Sequence, residues 1–246
     1  MKILVCISKT PETTAKIAFT DGDTKFSEDG VQYILNPYDE WYALVRALEL
    51  VEANGGEVVL GHVGPAANDS IIRKGLAVGA NRAVRIDADP TSAEMVAQQI
   101  AGHARGEGYD LIICGKETID YNGALLGGLL AAELNLPYVS FVSHLEVVDS
   151  EFTVTRDIEG GVEVSKVNGP IVISASKGLA EQRIPKMKDI MMSKRKTIDV
   201  IPAISTDATA TIVKYSLPQG KQGVKMLDPD NMDELVRLLN EEAKVL

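Results

Sequence analysis

The feature that most constrains this chain is residues 110–128, where an apolar run leads through a polar loop into a second apolar stretch. Leu111–Cys114 is typical of a buried parallel strand, and it stops at Gly115. The loop continues through Asn122, and the apolar stretch 124–134 then predicts a helix. A strand, loop and helix in this order place backbone N–H groups at the carboxyl edge of a sheet, where they can bind a phosphate. No nucleophile–base pair stands in the loop, so the pattern predicts a site that holds a nucleotide without reacting with it.

The composition agrees with an α/β fold built around a buried sheet. The chain has 246 residues, enough for one large domain or one domain with an appendage, and 45% of them are hydrophobic. Aromatic residues make up only 5%, so aliphatic side chains supply the apolar surface, as in buried parallel sheets. Cys6 and Cys114 fall in apolar runs, which predicts small core residues and neither a disulfide nor a metal site.

Charge and hydropathy argue against several kinds of partner. The formal net charge of −10 at pH 7 argues against nucleic acid. No stretch approaches the roughly 20 apolar residues of a membrane helix, and the apolar run at 1–5 is too short for a signal peptide. We therefore expect no membrane insertion and an intracellular location.

Strand-like and helix-like patterns alternate through the first half of the chain. Apolar runs are separated from segments with helical spacing by turns rich in glycine, proline and asparagine. The predicted strands are 2–7, 57–63, 83–86 and 110–114, and the predicted helices begin near 36, 69, 93 and 124. This repeated β-α order predicts a doubly wound parallel sheet of the Rossmann-like kind.

The predicted first helix begins with a capping pattern. Asn36 is predicted as its N-cap, Pro37 suits the first helical position, and Asp39 lies where an acid complements the helix dipole. Because this start follows the loop after the first strand, we expect it to border the same cleft as the loop after Gly115.

The second half has a different pattern, which begins after Pro137. Residues 138–148, 152–158 and 162–167 are rich in β-formers, and the Gly160-Gly161 pair predicts a hairpin between the last two. One more strand is predicted at 170–174. The chain then loses its compact alternation, which predicts a nucleotide-binding domain at 1–182 and a C-terminal arm at 183–246 with a short amphipathic helix near 232–242. Such an arm wraps a partner or packs across the core.

A basic segment opens this predicted arm. Residues 183–196 hold six basic side chains and one acid, with Met187, Ile190, Met191 and Met192 between them. A solvated charged surface is the usual interpretation of such a run. Exposed, flexible methionines favour an adaptable docking surface instead.

Common catalytic motifs are missing from the sequence. The first strand is not followed by Gly-x-Gly-x-x-Gly, and neither a P-loop nor a Gly-x-Ser-x-Gly elbow occurs. The three histidines lack metal-ligand spacing, and His62 is interpreted as an ordinary residue at the end of a strand. These absences argue against a standard dinucleotide-binding fingerprint and against a P-loop ATPase. On its own, the 122–128 loop is equally consistent with a phosphate cradle and with an ordinary β-to-α loop.

Several segments together resemble the β subunit of electron transfer flavoprotein, over nearly the whole chain. The most specific is 156–163, Arg-Asp-Ile-Glu-Gly-Gly-Val-Glu, followed by Pro-Ile-Val-Ile-Ser at 170–174. The other similar segments are Lys-Thr-Pro-Glu-Thr at 9–13, Asn-Pro-Tyr-Asp-Glu at 36–40, Gly-Pro at 64–65, Ala-Val-Gly-Ala-Asn at 77–81 and Gly-Lys-Glu-Thr-Ile-Asp at 115–120. The resemblance implies an adenine-nucleotide-hydrolase-like fold and an electron carrier with no substrate of its own.

The resemblance also implies cofactors and their contacts. An α subunit would hold most of the redox FAD, and this chain would hold a structural AMP. Carried over by position, the AMP contacts are Cys6, Asn36, Pro37, Tyr38, Asp39, Val63, Gly115, Lys116, Glu117, Thr118, Ile119, Asp120, Tyr121, Asn122, Gly123, Ala124, Leu125 and Leu126.

The same resemblance implies partners. Met187, with Ile190 and Met191, would form the recognition loop that docks flavin dehydrogenases such as the acyl-CoA dehydrogenases of fatty acid oxidation. Electrons would leave the FAD to the electron transfer flavoprotein–quinone oxidoreductase.

Two alternatives stay open at this stage. The family often has Asn-Gln-Thr in the phosphate loop, where this chain has Ala124-Leu125-Leu126, and bifurcating relatives hold a second FAD in this pocket. The other alternative is a stand-alone adenine-nucleotide sensor or hydrolase on the same fold.

Overall fold

A computed structural model gives the fold of residues 1–118, 121–207, 210–220 and 223–246, which form thirteen strands and six α-helices. The strands are β1 (Lys2–Cys6), β2 (Lys9–Pro11), β3 (Phe19–Thr20), β4 (Lys25–Phe26), β5 (Tyr33–Leu35), β6 (Glu57–Val63), β7 (Arg82–Asp87), β8 (Leu111–Gly115), β9 (Tyr138–Val148), β10 (Glu151–Ile158), β11 (Gly161–Asn168), β12 (Ile171–Ala175) and β13 (Ile198–Pro202). The helices are α1 (Asp39–Asn54), α2 (Asp69–Val78), α3 (Ala93–Ala104), α4 (Leu126–Leu134), α5 (Met187–Ser193) and α6 (Met232–Glu241).

Nine of these strands form one sheet in the order β11-β10-β9-β12-β8-β1-β6-β7-β13. Pairing is parallel from β9 through to β13, and β10 and β11 extend the sheet antiparallel. The chain starts at β1, moves outward through β6 and β7, and then returns to place β8 on the other side of β1. The predicted doubly wound sheet is therefore confirmed.

Helices cover both faces of the sheet because the central strands are apolar on both sides. Ile3 and Val5 of β1 pack with α1 and α2 in one buried cluster. Leu4 and Cys6, the alternate residues of the same strand, pack with α3 and α4 in a second cluster. The period of two along β1 thus divides the core into two layers.

The second half of the chain also agrees with its pattern. The predicted strands at 138–148, 152–158 and 162–167 correspond to β9, β10 and β11, and Gly160 takes the positive φ of 79° needed in the turn between the last two. The predicted arm helix corresponds to α6.

Four local features differ from the sequence predictions. Asn36 is not the N-cap of α1, which begins at Asp39 with Tyr38 in the cap position, because Asn36 Oδ1 accepts a hydrogen bond from Tyr38 N at 3.2 Å instead of from the first turn of the helix. Helix α4 begins at Leu126, two residues later than predicted. Two short strand pairs, β2–β5 and β3–β4, lie in the segment treated as a loop.

The fourth difference is in the arm. Strand β13 pairs in parallel with β7 as the last strand of the sheet, although the sequence predicted no strand after 174. The basic segment forms the short helix α5, which was not predicted either. The division of the chain at residue 182 stays a prediction.

Candidate functional site

The candidate site lies where the strand order reverses. Successive connections run from β1 to one side of the sheet and from β7 back to β8 on its other side. The loops after β1 and β8 therefore diverge at the carboxyl edge, and such a switch point is where doubly wound sheets bind their ligands. Three segments meet there: the loop after β1, the start of α1 and the loop between β8 and α4.

The carboxylate of Asp39 joins two of these segments. Its Oδ1 accepts a hydrogen bond from Asn36 Nδ2 at 2.7 Å, and its Oδ2 accepts one from the backbone N–H of Glu117 at 2.8 Å. Asn36 Nδ2 also donates to the carbonyl of Glu117 at 3.2 Å. Burial raises the pKa of Asp39, while the hydrogen bonds from Glu117 and Asn36 act in the opposite direction. The start of α1 is thus fastened to the β8 loop by a buried acid.

Gly115 makes this fastening possible. A Cβ at this position would lie 2.8 Å from Asp39 Oδ2 and 2.9 Å from Glu40 Cγ. Glu40 in turn accepts hydrogen bonds from Ser8 N at 2.9 Å and from Ser8 Oγ at 2.6 Å. The loop after β1 is therefore joined to the same helix start, and all three segments form one polar network.

The loop before α4 contains two residues in the left-handed conformation. Asn122 and Ala124 have positive φ angles of 47° and 52°, and Asn122 N donates to Thr118 O at 2.9 Å. Helix α4 begins without a capping side chain from the described residues. Its first-turn N–H groups can therefore bind an anion. Ile119 and Asp120, both predicted contacts, lie outside the described residues.

The start of α4 packs closely against β9. A Cβ at Gly127 would lie 2.8 Å from Tyr138 Cε2 and 2.9 Å from its hydroxyl oxygen. The Tyr138 hydroxyl donates to Ser174 Oγ at 3.1 Å, and Ser174 Oγ also accepts from Phe141 N at 2.9 Å. Tyr138 therefore has little freedom to move, and it fixes the position of the helix start.

A cleft of ≈ 280 Å³ opens beside the Asp39 network. Its lining residues are Tyr38, Asp39, Tyr42, Lys116, Glu117, Asn122, Ser176 and Lys177. Five of these are predicted site residues. Lys116 is paired with Glu117 at 2.8 Å, whereas Lys177 forms no ion pair within the described ranges. The cleft therefore combines two aromatic walls with a cation that can meet an anionic group.

The other predicted contacts lie deeper or further along the loop. Cys6 and Val63 are buried between the sheet and the layer of α3 and α4, and they do not line this cleft. Pro37 contributes its carbonyl oxygen, which accepts a hydrogen bond from Gln182 Nε2 at 2.8 Å. Tyr121, Gly123, Ala124 and Leu125 are exposed on the loop.

Comparison with known proteins decides the family. Residues 23–206 match the family model of the electron transfer flavoprotein domain. Three relatives are each named electron transfer flavoprotein subunit beta, and each alignment covers 100% of both chains: 35% identity with the Bradyrhizobium diazoefficiens protein, and 31% with the Bacillus subtilis and the mitochondrial Oryza sativa proteins. The chain belongs to the electron transfer flavoprotein β-subunit family.

Membership makes this β subunit part of an electron carrier, associated with flavin and with an α subunit. The earlier resemblance is confirmed at this level. Within the described residues, no helix combines the length and apolar character that crossing a membrane requires. The contacts assigned to AMP stay a prediction.

Cys6 has an inert thiol in this β subunit. A hydrogen bond with Cys114 and burial together raise the pKa of Cys6 well above its ordinary value. Because the thiolate is the reactive form, this raised pKa leaves Cys6 as a small core residue. Both cysteines are free and buried, which confirms the prediction of core residues.

A buried His–Asn pair lies beside the site, where the sequence pattern predicted only an ordinary histidine at the end of a strand. His62 is 2% exposed, and its Nδ1 lies 2.9 Å from Ile7 O while its Nε2 lies 3.0 Å from Asn68 Nδ2. Burial lowers the pKa of His62, so we assign a neutral ring that donates to Ile7 and accepts from Asn68. This ring holds the loop after β1, and the available signal was a polar pair six residues apart at the end of an apolar strand.

A contact from the arm was also missed. Tyr215 stacks on Phe19 with ring centroids 5.0 Å apart, and its hydroxyl lies 3.3 Å from that of Tyr121 on the candidate phosphate loop. Tyr215 N also donates to Asp23 O at 2.7 Å. No local pattern in the sequence could indicate a pairing between residues 94 positions apart.

The predicted docking residues lie together on α5. Met187 is 75% exposed and Met191 67%, and Ile190 is exposed beside them. The carboxylate of Asp189 accepts a hydrogen bond from Lys186 N at 3.1 Å, which caps the start of this short helix. Apolar side chains thus project into solvent from a basic segment.

Proposed function

We propose that this β subunit holds AMP at the switch point between β1 and β8, and helps to enclose the FAD of its α subunit. We also propose that it docks flavin dehydrogenases, acyl-CoA dehydrogenases among them, whose electrons pass through the FAD to a quinone oxidoreductase. The observation that carries the proposal is the full-length similarity to named β subunits. Its relatives include a bacterial and a mitochondrial protein, which favours a bacterial cytoplasm or a mitochondrial matrix.

The residues at the switch point fit an adenine nucleotide. The uncapped first turn of α4 offers N–H groups to the phosphate, and the loop before it contains the left-handed residues Asn122 and Ala124. Because Ala124, Leu125 and Leu126 offer no hydroxyl or amide donors, the backbone has to supply the phosphate contacts. AMP bound in this way would supply no chemistry and would act as a structural ligand.

The arm supports the proposed pairing with an α subunit. Val213, Val224 and Met226 are each more than 80% exposed, and α6 buries only Leu238 of its apolar residues. Apolar side chains this exposed along one segment mark an interaction surface. In the complex, FAD would accept and release electrons, while this chain would exclude water from one side of it.

Nucleotide content is the deciding test. The chain should be co-expressed with its cognate α subunit, and the purified complex denatured so that released nucleotides can be separated by chromatography. We expect one FAD and one AMP per heterodimer. Two FAD and no AMP would favour the bifurcating alternative. That alternative is considered because Ala124-Leu125-Leu126 stands where the family often has Asn-Gln-Thr. A complex without flavin, or an ATP-binding monomer, would overturn the proposal.

Substituting Met187 tests the docking role. Met187→Ala removes most of an exposed apolar side chain, so we expect electron transfer from a reduced flavin dehydrogenase to slow by about tenfold, the factor that 1.4 kcal/mol represents. Flavin content and heterodimer formation should not change, because Met187 makes no core contact. Stopped-flow reduction of the FAD measures the rate.

A matched variant distinguishes docking from surface damage. Met187→Leu keeps an apolar side chain of similar volume and should retain most of the rate. If Met187→Ala transfers electrons as fast as the unmodified complex, Met187 is not an anchor.

A further inference from the structure

Lys196 and α2 form a contact that none of the assigned roles uses. The Lys196 ammonium donates to the carbonyls of Leu76 at 2.9 Å, Gly79 at 3.2 Å and Ala80 at 2.6 Å. These three oxygens belong to the last turn of α2 and the two residues after it. All three ammonium hydrogens thus have acceptors at one helix end, where a cation also interacts favourably with the helix dipole.

Arg73 makes the opposite contact from within α2. Its Nη1 donates to Ser193 O at 2.7 Å and also to Lys196 O. Ser193 is the last residue of α5. Arg73 on α2 therefore binds the end of α5, and Lys196, just after α5, binds the end of α2. We call this reciprocal pair of contacts the clasp.

Helix α5 packs on α2, but its own side chains are largely exposed to solvent. The helix has seven residues, of which only Ser193 is buried, and a groove of ≈ 570 Å³ runs beneath it between Met192, Ile184 and Gly79. A helix this short is not stable in isolation. Near the segment's start, Arg183 forms a bidentate pair with Glu52 at 2.6 and 3.0 Å. Charged contacts before and after α5 thus add to its packing on α2 in setting its orientation.

The clasp has no carboxylate in it. Among the described residues, neither Arg73 nor Lys196 forms an ion pair, and burial lowers the pKa of Lys196 despite the neighbouring Asp189. A partly buried ammonium is stable here because convergent carbonyl oxygens replace its water. Removing the ammonium would leave three carbonyls without this donor.

We propose that Lys196, together with Arg73, is a positioning residue that holds α5 in the orientation in which its exposed side chains can dock a partner flavoprotein. The inference rests on the proposed docking function and adds the device that pre-organises the surface. Without the clasp, α5 samples other orientations. The apparent affinity for the partner flavoprotein is then the intrinsic affinity multiplied by the fraction of molecules in which α5 has the docking orientation.

Lys196→Met in the α/β complex tests the proposal against a matched control. Met keeps the length and apolar stem of the side chain but removes its charge and donors. Lys194→Met removes an equal charge from an exposed side chain two residues away. With a reduced flavin dehydrogenase as electron donor, we expect Lys196→Met to raise the donor KM about tenfold, as a competent fraction of about one tenth implies. The kcat should change little, and Lys194→Met should stay within about twofold.

Hydrogen exchange gives a readout that does not depend on docking. Amides of α5 should exchange faster in Lys196→Met than in Lys194→Met, with flavin content and the amides of β1 unchanged. Arg73→Met should reproduce the effect from the other side, which keeps the test valid if one variant folds poorly.

The outcomes separate the two proposals. An unmodified complex that accepts no electrons from any flavin dehydrogenase would overturn the docking function. If that complex is active and Lys196→Met changes neither the KM nor the α5 exchange, the positioning role of Lys196 is wrong. If the Lys194 and Lys196 variants have equal effects, the cause is the change in net charge, and the positioning role of Lys196 is again wrong.

Discussion

Asp39→Asn is expected to lower the free energy of unfolding by about 2 kcal/mol and to remove most of the AMP from the heterodimer. The Asp39 carboxylate is 4% exposed and accepts from both Asn36 and the backbone of Glu117. An asparagine can accept only one of these bonds, and its NH₂ group faces the second donor. A buried donor left without an acceptor costs about 1–3 kcal/mol. Burying the charged carboxylate carries a cost, which is also what raises the pKa of Asp39. The neutral asparagine avoids this cost, so the loss of stability is not larger than about 2 kcal/mol.

Asp29→Asn is the matched control for this prediction. Asp29 is exposed, so the same chemical change should leave stability within about 0.5 kcal/mol and the nucleotide content unaltered. Urea denaturation gives the free energy, and chromatography of the denatured complex gives the AMP. Unchanged values in Asp39→Asn would contradict the network. Lost stability with full AMP retention would separate the Asp39 network from the nucleotide.

The sequence predicted the part of the site that depends on local patterns. Leu111–Cys114 is apolar because both faces of β8 are covered, and Gly115 stands where Asp39 and Glu40 approach the backbone. Burial on both faces and close backbone approach leave residue-level traces, namely apolar runs and glycines. Strand, loop and helix were therefore recognisable, and with them the edge of the sheet where the site lies.

Contacts between distant segments could not be predicted in this way. Asparagine is a favoured N-cap residue, yet the side-chain NH₂ group of Asn36 donates to Asp39 and to the carbonyl of Glu117. The second of these partners lies 81 residues away. The choice between a cap and a bridge depends on which backbone groups the fold brings near, information that no window around Asn36 contains. The carbonyl partners of Lys196, 116 to 120 residues away, are hidden for the same reason.

Strand β13 and helix α5 were missed because their stability comes from neighbours. Ile198–Pro202 has weak alternation and ends in proline, and it becomes a strand by pairing with β7 at the edge of the sheet. Helix α5 is too short to be indicated by periodicity, and contacts from α2 and α1 hold its last residue and the segment before it. Segments that depend on tertiary contacts carry weak local signals.

Gly127→Ala is expected to lower the free energy of unfolding by about 1–2 kcal/mol and to weaken retention of AMP, because overpacking a close contact costs about 1–3 kcal/mol. The new Cβ would lie 2.8 Å from the ring of Tyr138, whose hydroxyl is held by Ser174. Either the ring or the start of α4 has to move. Movement of α4 would displace the N–H groups proposed to bind the phosphate, so stability and nucleotide content should fall together.

Gly128→Ala provides the control, because a Cβ there would meet Tyr138 at 3.6 Å, an ordinary van der Waals contact. Alanine in a helix is favoured over glycine by roughly 0.5–1 kcal/mol, so this variant should be as stable as the parent or more so. The contrast between adjacent residues removes helix propensity as an explanation. Adding Tyr138→Leu should rescue Gly127→Ala if the clash is the cause, since residues in contact are energetically coupled. Equal stability of the two glycine variants would mean that Tyr138 yields at little cost, and that the start of α4 is not fixed by this contact.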